Sequence, residues 1–379
     1  MSMTVSHRCW AEVDLSALRE NLAWIRHRVG PTVKIITVVK ADAYGHGLKP
    51  IAALLMQSGT DIFGVANLTE AQAIRSVGKG WPILMLGPCL PDEVYAAVRD
   101  DVMPTISNLE EAEVFSETGL SMKKRIRVHV KVDTGMGRVG APTEGAADLV
   151  EKIKDSRGLS FEGIYTHFSS VEDDPKLSAR QLKIFAGVLD EIPSNNLLVH
   201  ANNSGGLLFE PQGIFNAVRP GLLVFGIIPP AQRRMSSALR RHVRPALSWK
   251  CRVGLVKDIA KGTSLSYGQT FKAPKKMRVA TITAGYGDGY LRAGSNRAEV
   301  LIGGRRCRVL GRVTMDQMIV DISRVPTARA GDEVVLIGKQ RDEEIAAIEL
   351  AMWFGTVPWE VLTAITYRVP RIYIGGQAS

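Results

Sequence analysis

The sequence predicts a (β/α)₈ barrel followed by a smaller, mostly β domain. Short apolar strands alternate with capped amphipathic helices up to about residue 230. After Pro245 the helices drop out and strands follow one another. The length, 379 residues, suits two cores better than one. Such alternation implies a parallel sheet with right-handed crossovers, and a count of about eight strands favours closure into a barrel. An open doubly wound sheet is the alternative, because alternation alone does not show closure. The expected limits are 11–240 for the barrel and 241–379 for the β domain, divided by a polar, arginine-rich stretch near Gln232 to Pro245.

Asp14 can cap a helix whose apolar stripe is Leu15, Leu18, Leu22, Ile25 and Val29, stopped by Gly30 and Pro31. The β-branched run Val33 to Val39 reads as a buried strand and ends on Lys40. A helix over Pro50 to Met56 and a strand over Ile62 to Ala66 follow, then a capping box of Thr69 and Gln72 and a strand over Pro82 to Leu86. Further capping boxes are expected at Ser107 with Glu110 and at Ser178 with Gln181. Strands are expected at Ile126 to Val132, Gly163 to Phe168, Leu197 to Ala201 and Val218 to Phe225. In the second domain, strands fit Ser248 to Val256, Met277 to Ala284, Ala298 to Val309, Gln317 to Ile322 and Glu333 to Ile337, with a helix from Glu343 to Phe354.

Formal net charge is +10, but the densest basic group, Arg233, Arg234, Arg240, Arg241 and Arg244, has no aromatic platform beside it. Solvated charge is therefore the reading, and no nucleic-acid partner is expected. The apolar run Gly221 to Ile228 is too short to cross a bilayer, so no membrane role is expected. Met1 to Trp10 lacks the apolar core of a secretory signal. Cys9, Cys89, Cys251 and Cys307 form no C-x-x-C pair and read as reduced thiols of a cytoplasmic protein. No close histidine pair or H-E-x-x-H motif suggests a metal.

Lys40 is the most informative residue. A buried ammonium is costly, desolvation lowers its pKa, and a neutral amine can attack a carbonyl. The competing account is a surface lysine snorkelling at a strand end. Other chemistry-bearing residues also follow strands, where barrel enzymes build their sites. These are Arg138 after Val132, His167, Asn203 and Ser204 after His200, and Arg219 and Gly221 after Val218. Gly221 permits close backbone approach to a phosphate, with hydroxyls of Tyr44 and Ser204 as donors. A lysine, an anion cradle and an arginine at one rim are what pyridoxal phosphate chemistry requires. One decoy stands among them. Gly135 to Gly140 matches G-x-G-x-x-G, but the next helix starts beyond Pro142, outside the motif.

On these residues the chain closely resembles the alanine racemases, fold type III pyridoxal phosphate enzymes, over nearly its whole length. The resemblance rests on Trp10 to Leu15, on Val39-Lys40-Ala41-Asp42-Ala43-Tyr44-Gly45-His46-Gly47 and on Lys131-Val132-Asp133-Thr134-Gly135-Met136-Gly137-Arg138. It extends to Val218-Arg219-Pro220-Gly221, Ser266-Tyr267-Gly268, Gly311 to Asp316 and Tyr367 to Arg371. It implies an enzyme interconverting L- and D-alanine with pyridoxal 5'-phosphate, supplying D-alanine for peptidoglycan. It also implies a homodimer with shared active sites and an initial strand, 1–10, packed on the β domain. Carried over, Lys40 holds the cofactor as an imine. Tyr44, Ser204, Gly221, Leu222 and Tyr367 surround the phosphate, with His167 and Asn203 nearby. Arg219 faces the pyridine nitrogen and Arg138 the phenolic oxygen. Lys131 matches a lysine carbamylated in several members. Tyr267, Met315 and Asp316 come from the partner subunit, and Tyr286 guards the substrate entrance. A racemase of serine or of broader specificity would share every one of these groups. A non-catalytic pyridoxal phosphate carrier would share the barrel but not the second domain.

Racemisation needs two bases on opposite faces of the α-carbon. Lys40 is one and Tyr267 the natural other, and the resemblance implies that His167 and Arg219 stabilise its phenolate through a hydrogen-bonded chain.

Overall fold

The computed structural model describes residues 7–192, 196–228, 239 and 241–376. Arg233, Arg234 and Arg240 of the basic stretch lie outside them. The chain divides into two compact bodies. One comprises Leu18–Ala43 and Gly47–Arg244; the other comprises Met1–Ala17, Tyr44–His46 and Pro245–Ser379.

The strands in chain order begin with β1 (Cys9–Asp14), which belongs to the second body. Eight parallel strands then build the first body: β2 (Lys34–Val38), β3 (Ile62–Val65), β4 (Ile83–Met85), β5 (Thr105–Ile106), β6 (Ile126–Lys131), β7 (Leu159–Tyr165), β8 (Leu198–His200) and β9 (Ala217–Val218). They run in the order β4-β3-β2-β9-β8-β7-β6-β5. Met85 N donates to Met103 O at 2.9 Å and Met103 N to Ile83 O at 2.9 Å, which links β4 to the segment entering β5 and closes the ring. The structure is thus the barrel, not the open sheet. Ile36, Ile62, Leu84, Met103 and Ala217 pack inside it. Such a core is a plug of side chains, and function is left to the strand ends.

The second body is a nine-stranded sheet: β10 (Leu247–Ile259), the ribbon β11 (Ser264–Leu265) and β12 (Phe271–Lys272) beside it, then β13 (Met277–Ile282), β14 (Glu299–Ile302), β15 (Arg305–Leu310), β16 (Met318–Asp321), β17 (Glu333–Gln340), β18 (Glu343–Ile345) and β19 (Arg371–Ile374). β1 lies between β10, antiparallel, and β19, parallel. This pairing holds Ala11 to Asp14 in the sheet, so the bodies divide at Ala17 and at Arg244, rather than at 11 and 240. None of the described helices is long and apolar enough to cross a membrane.

Several local expectations are corrected. Asn67, not Thr69, caps the helix Leu68–Arg75, accepting from Glu70 N at 3.0 Å. Asn108, not Ser107, caps Leu109–Ser121, and Asp174 followed by Pro175 starts Pro175–Asp190, with Ser178 and Gln181 inside it. Asx side chains reach the backbone N–H two or three residues on without strain and win these positions. Strand β9 ends at Val218, and the buried apolar run to Phe225 is a series of turns. Ala298 to Val309 is a hairpin of β14 and β15, because Gly303 and Gly304 take φ of 61° and 77° at its tip. Glu343–Ile345 is a strand, and the helix there begins only at Ala347.

Candidate active site

Lys40, Lys131, His167, His200 and Arg219 all lie at or just beyond the C-terminal ends of barrel strands. Lys40 follows β2 and opens a turn wound the wrong way. Ala41, Asp42, Ala43 and Tyr44 have φ of 52°, 54°, 53° and 52°, and Gly45 has 79°. Each non-glycine residue in this region costs about 1–2 kcal/mol, so the turn stores several kcal/mol that its surroundings must offset. They do so with ionic and backbone bonds. Glu70 accepts from Ala41 N at 2.7 Å and from Ala66 N at 2.8 Å. Asp42 Oδ1 accepts from Leu48 N at 2.7 Å, and Ala43 N donates to Val39 O at 2.9 Å. Glu70 escapes motif reading, although Asn67 and Glu70 form an N-x-x-E capping pattern that would have marked it. Glu70→Ala is expected to cost about 2 kcal/mol, two charge-assisted bonds at a partly exposed site. Chemical denaturation measures this, and Glu70→Gln should recover part of the loss.

The Lys40 amine has no hydrogen bond or ion pair among the described residues. Burial lowers its pKa first and the Arg138 cation second, against the opposing charge of Glu70. Lys131, the last residue of β6, is 4% exposed. Burial, then Arg138 and Arg219, push its amine down to about 8, Asp133 acting in the opposite sense. Arg138 itself is exposed and has no ion pair among the described residues. Lys40, Lys131, Arg138 and Arg219 therefore act on one another at one end of the barrel, opposed only in part by Glu70 and Asp133. That arrangement favours an anionic guest and unprotonated amines.

The loop before Arg138 explains the decoy motif. Asp133 Oδ1 accepts from Gly135 N at 2.9 Å, Met136 N at 2.9 Å and Gly137 N at 3.1 Å. Burial alone would raise this carboxyl, but the three donors outweigh it and hold the pKa low. The amides a dinucleotide would need are already spent on the protein's own carboxylate.

Arg219 is 2% exposed. Its Nη1 donates to His200 Nδ1 at 2.6 Å and to His200 O at 3.1 Å. Nη2 donates to Thr166 O at 2.7 Å, Ala201 O at 2.9 Å and His167 Nδ1 at 3.2 Å. Among the described residues neither carboxylate nor other acceptor takes its Nε–H. Arginine only donates, so His167 Nδ1 accepts and the His167 proton sits on Nε2. Burial and the Arg219 charge keep His167 well below its ordinary pKa, hence neutral.

Ser204 Oγ accepts from Gly221 N at 2.9 Å and Leu223 N at 3.2 Å, so its own O–H and the Leu222 N–H are the donors left there. Asn203 Oδ1 caps the short helix Ser204–Phe209, accepting from Gly206 N at 2.8 Å. Tyr44 is buried.

The remaining candidates belong to the second body. Tyr286 N donates to Thr314 O at 3.0 Å and Gly287 N to Met315 O at 2.8 Å, tying the two loops together. A Cβ on Gly285 would meet Thr314 O at 2.2 Å, so only glycine allows that approach. Arg368 bridges Asp288 at 2.7 Å and Asp316 at 2.8 Å. Tyr267 opens a short turn at 267–269, tied down where Ser266 Oγ donates to Arg312 O at 2.6 Å. Tyr267 is 72% exposed, Met315 52%, Tyr286 42% and Tyr367 100%.

Comparison with known proteins identifies the family. The family profile for the alanine racemase N-terminal domain matches residues 13–229, and that for the C-terminal domain matches 246–373. The chain is 37% identical over 384 residues to the alanine racemase of Halothermothrix orenii, covering 99% of this chain and all of that one. It is 40% identical over 369 residues to the alanine racemase of Methylacidiphilum infernorum, covering 97% of this chain and 92% of the relative. Among solved structures, alanine racemase of Clostridium difficile superposes with a TM-score of 0.90 at 30% identity, covering 98% of this chain and 97% of that one. The Bacillus anthracis alanine racemase, solved with bound L-Ala-P, gives 0.89 at 33%, covering 99% and 97%. With both domains matched and full-length relatives above 30% identity, the chain belongs to the alanine racemase family of pyridoxal phosphate-dependent isomerases.

Proposed function

We propose that the protein interconverts L- and D-alanine in the cytoplasm, with pyridoxal 5'-phosphate carried on Lys40, and that its D-alanine serves peptidoglycan. The observation that carries the reading is an amine of lowered pKa at the same barrel end as a buried arginine with one unspent N–H and no carboxylate partner. The four free thiols accord with a reducing compartment.

The residues present fit the cofactor. Tyr44, the Ser204 O–H, the Leu222 N–H and Tyr367 are donors for a phosphate. Gly221 lends its N–H to Ser204, so it acts there through that hydroxyl. Asn203 holds the helix that carries Ser204. When bound, the cofactor withdraws electrons from the amino acid and acidifies its α-proton. Arg219 Nε–H would be the donor to its pyridine nitrogen. Arg219 is lowered by burial only to about 10, so it keeps its proton at neutral pH and donates without protonating the ring. This restrains the electron sink and disfavours side reactions that need full charge delocalisation. Arg138 would hold the phenolic oxygen and the substrate carboxylate, and Met315, Asp316 and Tyr286 would shape the substrate side. Lys40 moves the proton on the face of D-alanine and Tyr267 on the face of L-alanine. The His167 Nε2–H would stabilise the phenolate when a second copy brings Tyr267 to it.

Exposure supports a homodimer with shared sites. Tyr267, Met315, Tyr286 and Tyr367 are apolar or aromatic groups largely open to solvent in the isolated chain, which suits residues completed by a second copy. The test of the whole reading is a visible spectrum of the loaded protein before and after borohydride. The absorbance should become fixed to the Lys40 peptide, and L-alanine should yield D-alanine by a D-amino acid oxidase assay. No fixation, or fixation elsewhere, overturns it.

Lys131 is proposed to take up carbon dioxide, its unprotonated amine attacking the carbon and losing a proton, so that the resulting carbamate pairs with Arg138. Without carbon dioxide the free amine has a stability signature. Its folded pKa, about 8, lies below the ordinary 10.5, so the unfolded chain binds more protons between these values. Stability should therefore rise as pH climbs from 8 to 10.5, by up to about 3 kcal/mol. Urea midpoints in carbon dioxide-free buffer measure the slope, and Lys131→Met should flatten it.

A further inference from the structure

We propose that Gln181 is a positioning residue for His167: its buried side-chain amide tethers the main chain on both sides of Phe168 and so sets the point from which the imidazole projects. Its effect on proton transfer rests on the role given to His167 above; the tether itself does not.

Gln181 stands on the inward face of the helix Pro175–Asp190, where Ser178, Gln181, Phe185 and Val188 are the buried residues. It is fully buried. An apolar side chain would suit that stripe, and a buried carboxamide is costly unless its bonds are made. Here four are made. Oε1 accepts from Ser169 N at 3.0 Å and Ser169 Oγ at 3.1 Å, and Nε2 donates to His167 O at 3.2 Å and Thr134 Oγ1 at 3.3 Å. The backbone fixes which way the amide faces. A peptide N–H only donates and a carbonyl only accepts, so Ser169 N takes the oxygen and His167 O the nitrogen.

The loop depends on the glutamine more than the glutamine on the loop. Strand β7 ends at Tyr165, yet the chain beyond it must still pair its polar groups. Among the described residues, His167 O and Ser169 N have no other hydrogen-bond partner. Gln181 is carried by a helix of 16 residues whose start is capped by Asp174. The imidazole has one bond of its own among the described residues, from Arg219 Nη2 at 3.2 Å. Nη2 has two protons for three acceptors, and Thr166 O at 2.7 Å and Ala201 O at 2.9 Å are nearer. That shared contact sets the tautomer but holds the ring weakly, which leaves its placement to the main chain. The second arm of the amide braces the same rim. Thr166 Oγ1 donates to Val132 O at 3.0 Å, so it accepts from Thr134 Oγ1 at 2.7 Å, and Thr134 Oγ1 in turn accepts from Gln181. This run of bonds has one direction and joins the ends of β6 and β7.

The test compares the full-length natural holoenzyme with three variants. Gln181→Met fills the space with neither a strong donor nor a strong acceptor, and Gln181→Asn carries its amide one bond short of the loop. Gln181→Glu keeps the acceptor and, as the neutral acid that burial favours, one donor for His167 O. Hydrogen exchange, read by mass spectrometry on peptides that resolve Ser169, reports the tether. The Ser169 N–H should exchange roughly tenfold faster in Gln181→Met and Gln181→Asn than in the natural protein, with Gln181→Glu between them. Solvent deuterium incorporation at the α-carbon reports the positioning. In Gln181→Met it should fall about 10- to 100-fold from L-alanine, the face given to Tyr267 and His167, and much less from D-alanine. A general loosening of the barrel would slow both. A folded Gln181→Met protein whose Ser169 amide stays protected overturns the proposal. Equal losses from both enantiomers also overturn it when Tyr267→Phe, run alongside, still separates them. If Tyr267→Phe does not separate them, the two-base reading has failed, and Ser169 exchange alone decides for or against the tether. If Gln181→Met does not fold, the same outcomes are read on Gln181→Asn.

Discussion

Lys40→Ala should leave a folded protein with no measurable racemisation. Lys40 contributes twice, as the covalent carrier and as the proton-transfer group on one face. Loss of a general base alone costs roughly 10²–10⁴ in rate, and loss of the carrier removes the reaction it serves. Stability should hold or rise slightly. The amine pKa is lowered in the folded state, so the fold disfavours its ammonium form, and deleting it relieves desolvation and repulsion from Arg138. A thermal midpoint at or above that of the natural protein, together with no borohydride-fixed absorbance, is the expected pair of results. Lys40→Arg is the control, since it restores a cation but no nucleophilic amine. Substantial turnover by either variant would remove Lys40 from the chemistry.

The barrel was legible because its strands are apolar runs punctuated by helix starts, and that pattern survives small errors of boundary. The caps were less legible. Thr69, Ser107 and Ser178 each begin a pattern that fits a capping box, yet Asn67, Asn108 and Asp174 do the capping. Several polar residues compete near a helix start, and the winner depends on where the preceding strand releases the chain. Lys40, His167 and Arg219 could be picked out because a barrel puts its working residues after strands. Glu70 and Gln181 could not be picked out this way. Glu70 acts through a backbone amide 29 positions away, and Gln181, which reads as a capping partner, bonds a loop 12 and 14 positions before it. The left-handed turn was also hidden. Of Ala41, Asp42, Ala43 and Tyr44 only the aspartate favours positive φ at all, and bonds from Glu70 and Val39 help to hold them there.

Tyr267→Phe should impair one direction of proton exchange far more than the other. The phenol is 72% exposed in the single chain. It needs a neighbour such as the neutral His167 of a second copy. Removing its oxygen should slow solvent deuterium incorporation from L-alanine by roughly 10²–10⁴ while leaving exchange from D-alanine, served by Lys40, much less affected. Equal losses from both enantiomers would end the two-base assignment. Shared sites add a stronger expectation. Lys40→Ala and Tyr267→Phe chains should each be inactive in racemisation on their own. When mixed and allowed to exchange subunits, half the dimers are hybrids, and each hybrid has one site with both Lys40 and Tyr267 intact. About a quarter of all sites should then work. Activity that returns in step with the measured hybrid fraction supports the reading. Proven hybrids without recovery would mean that Lys40 and Tyr267 of the same chain form each site.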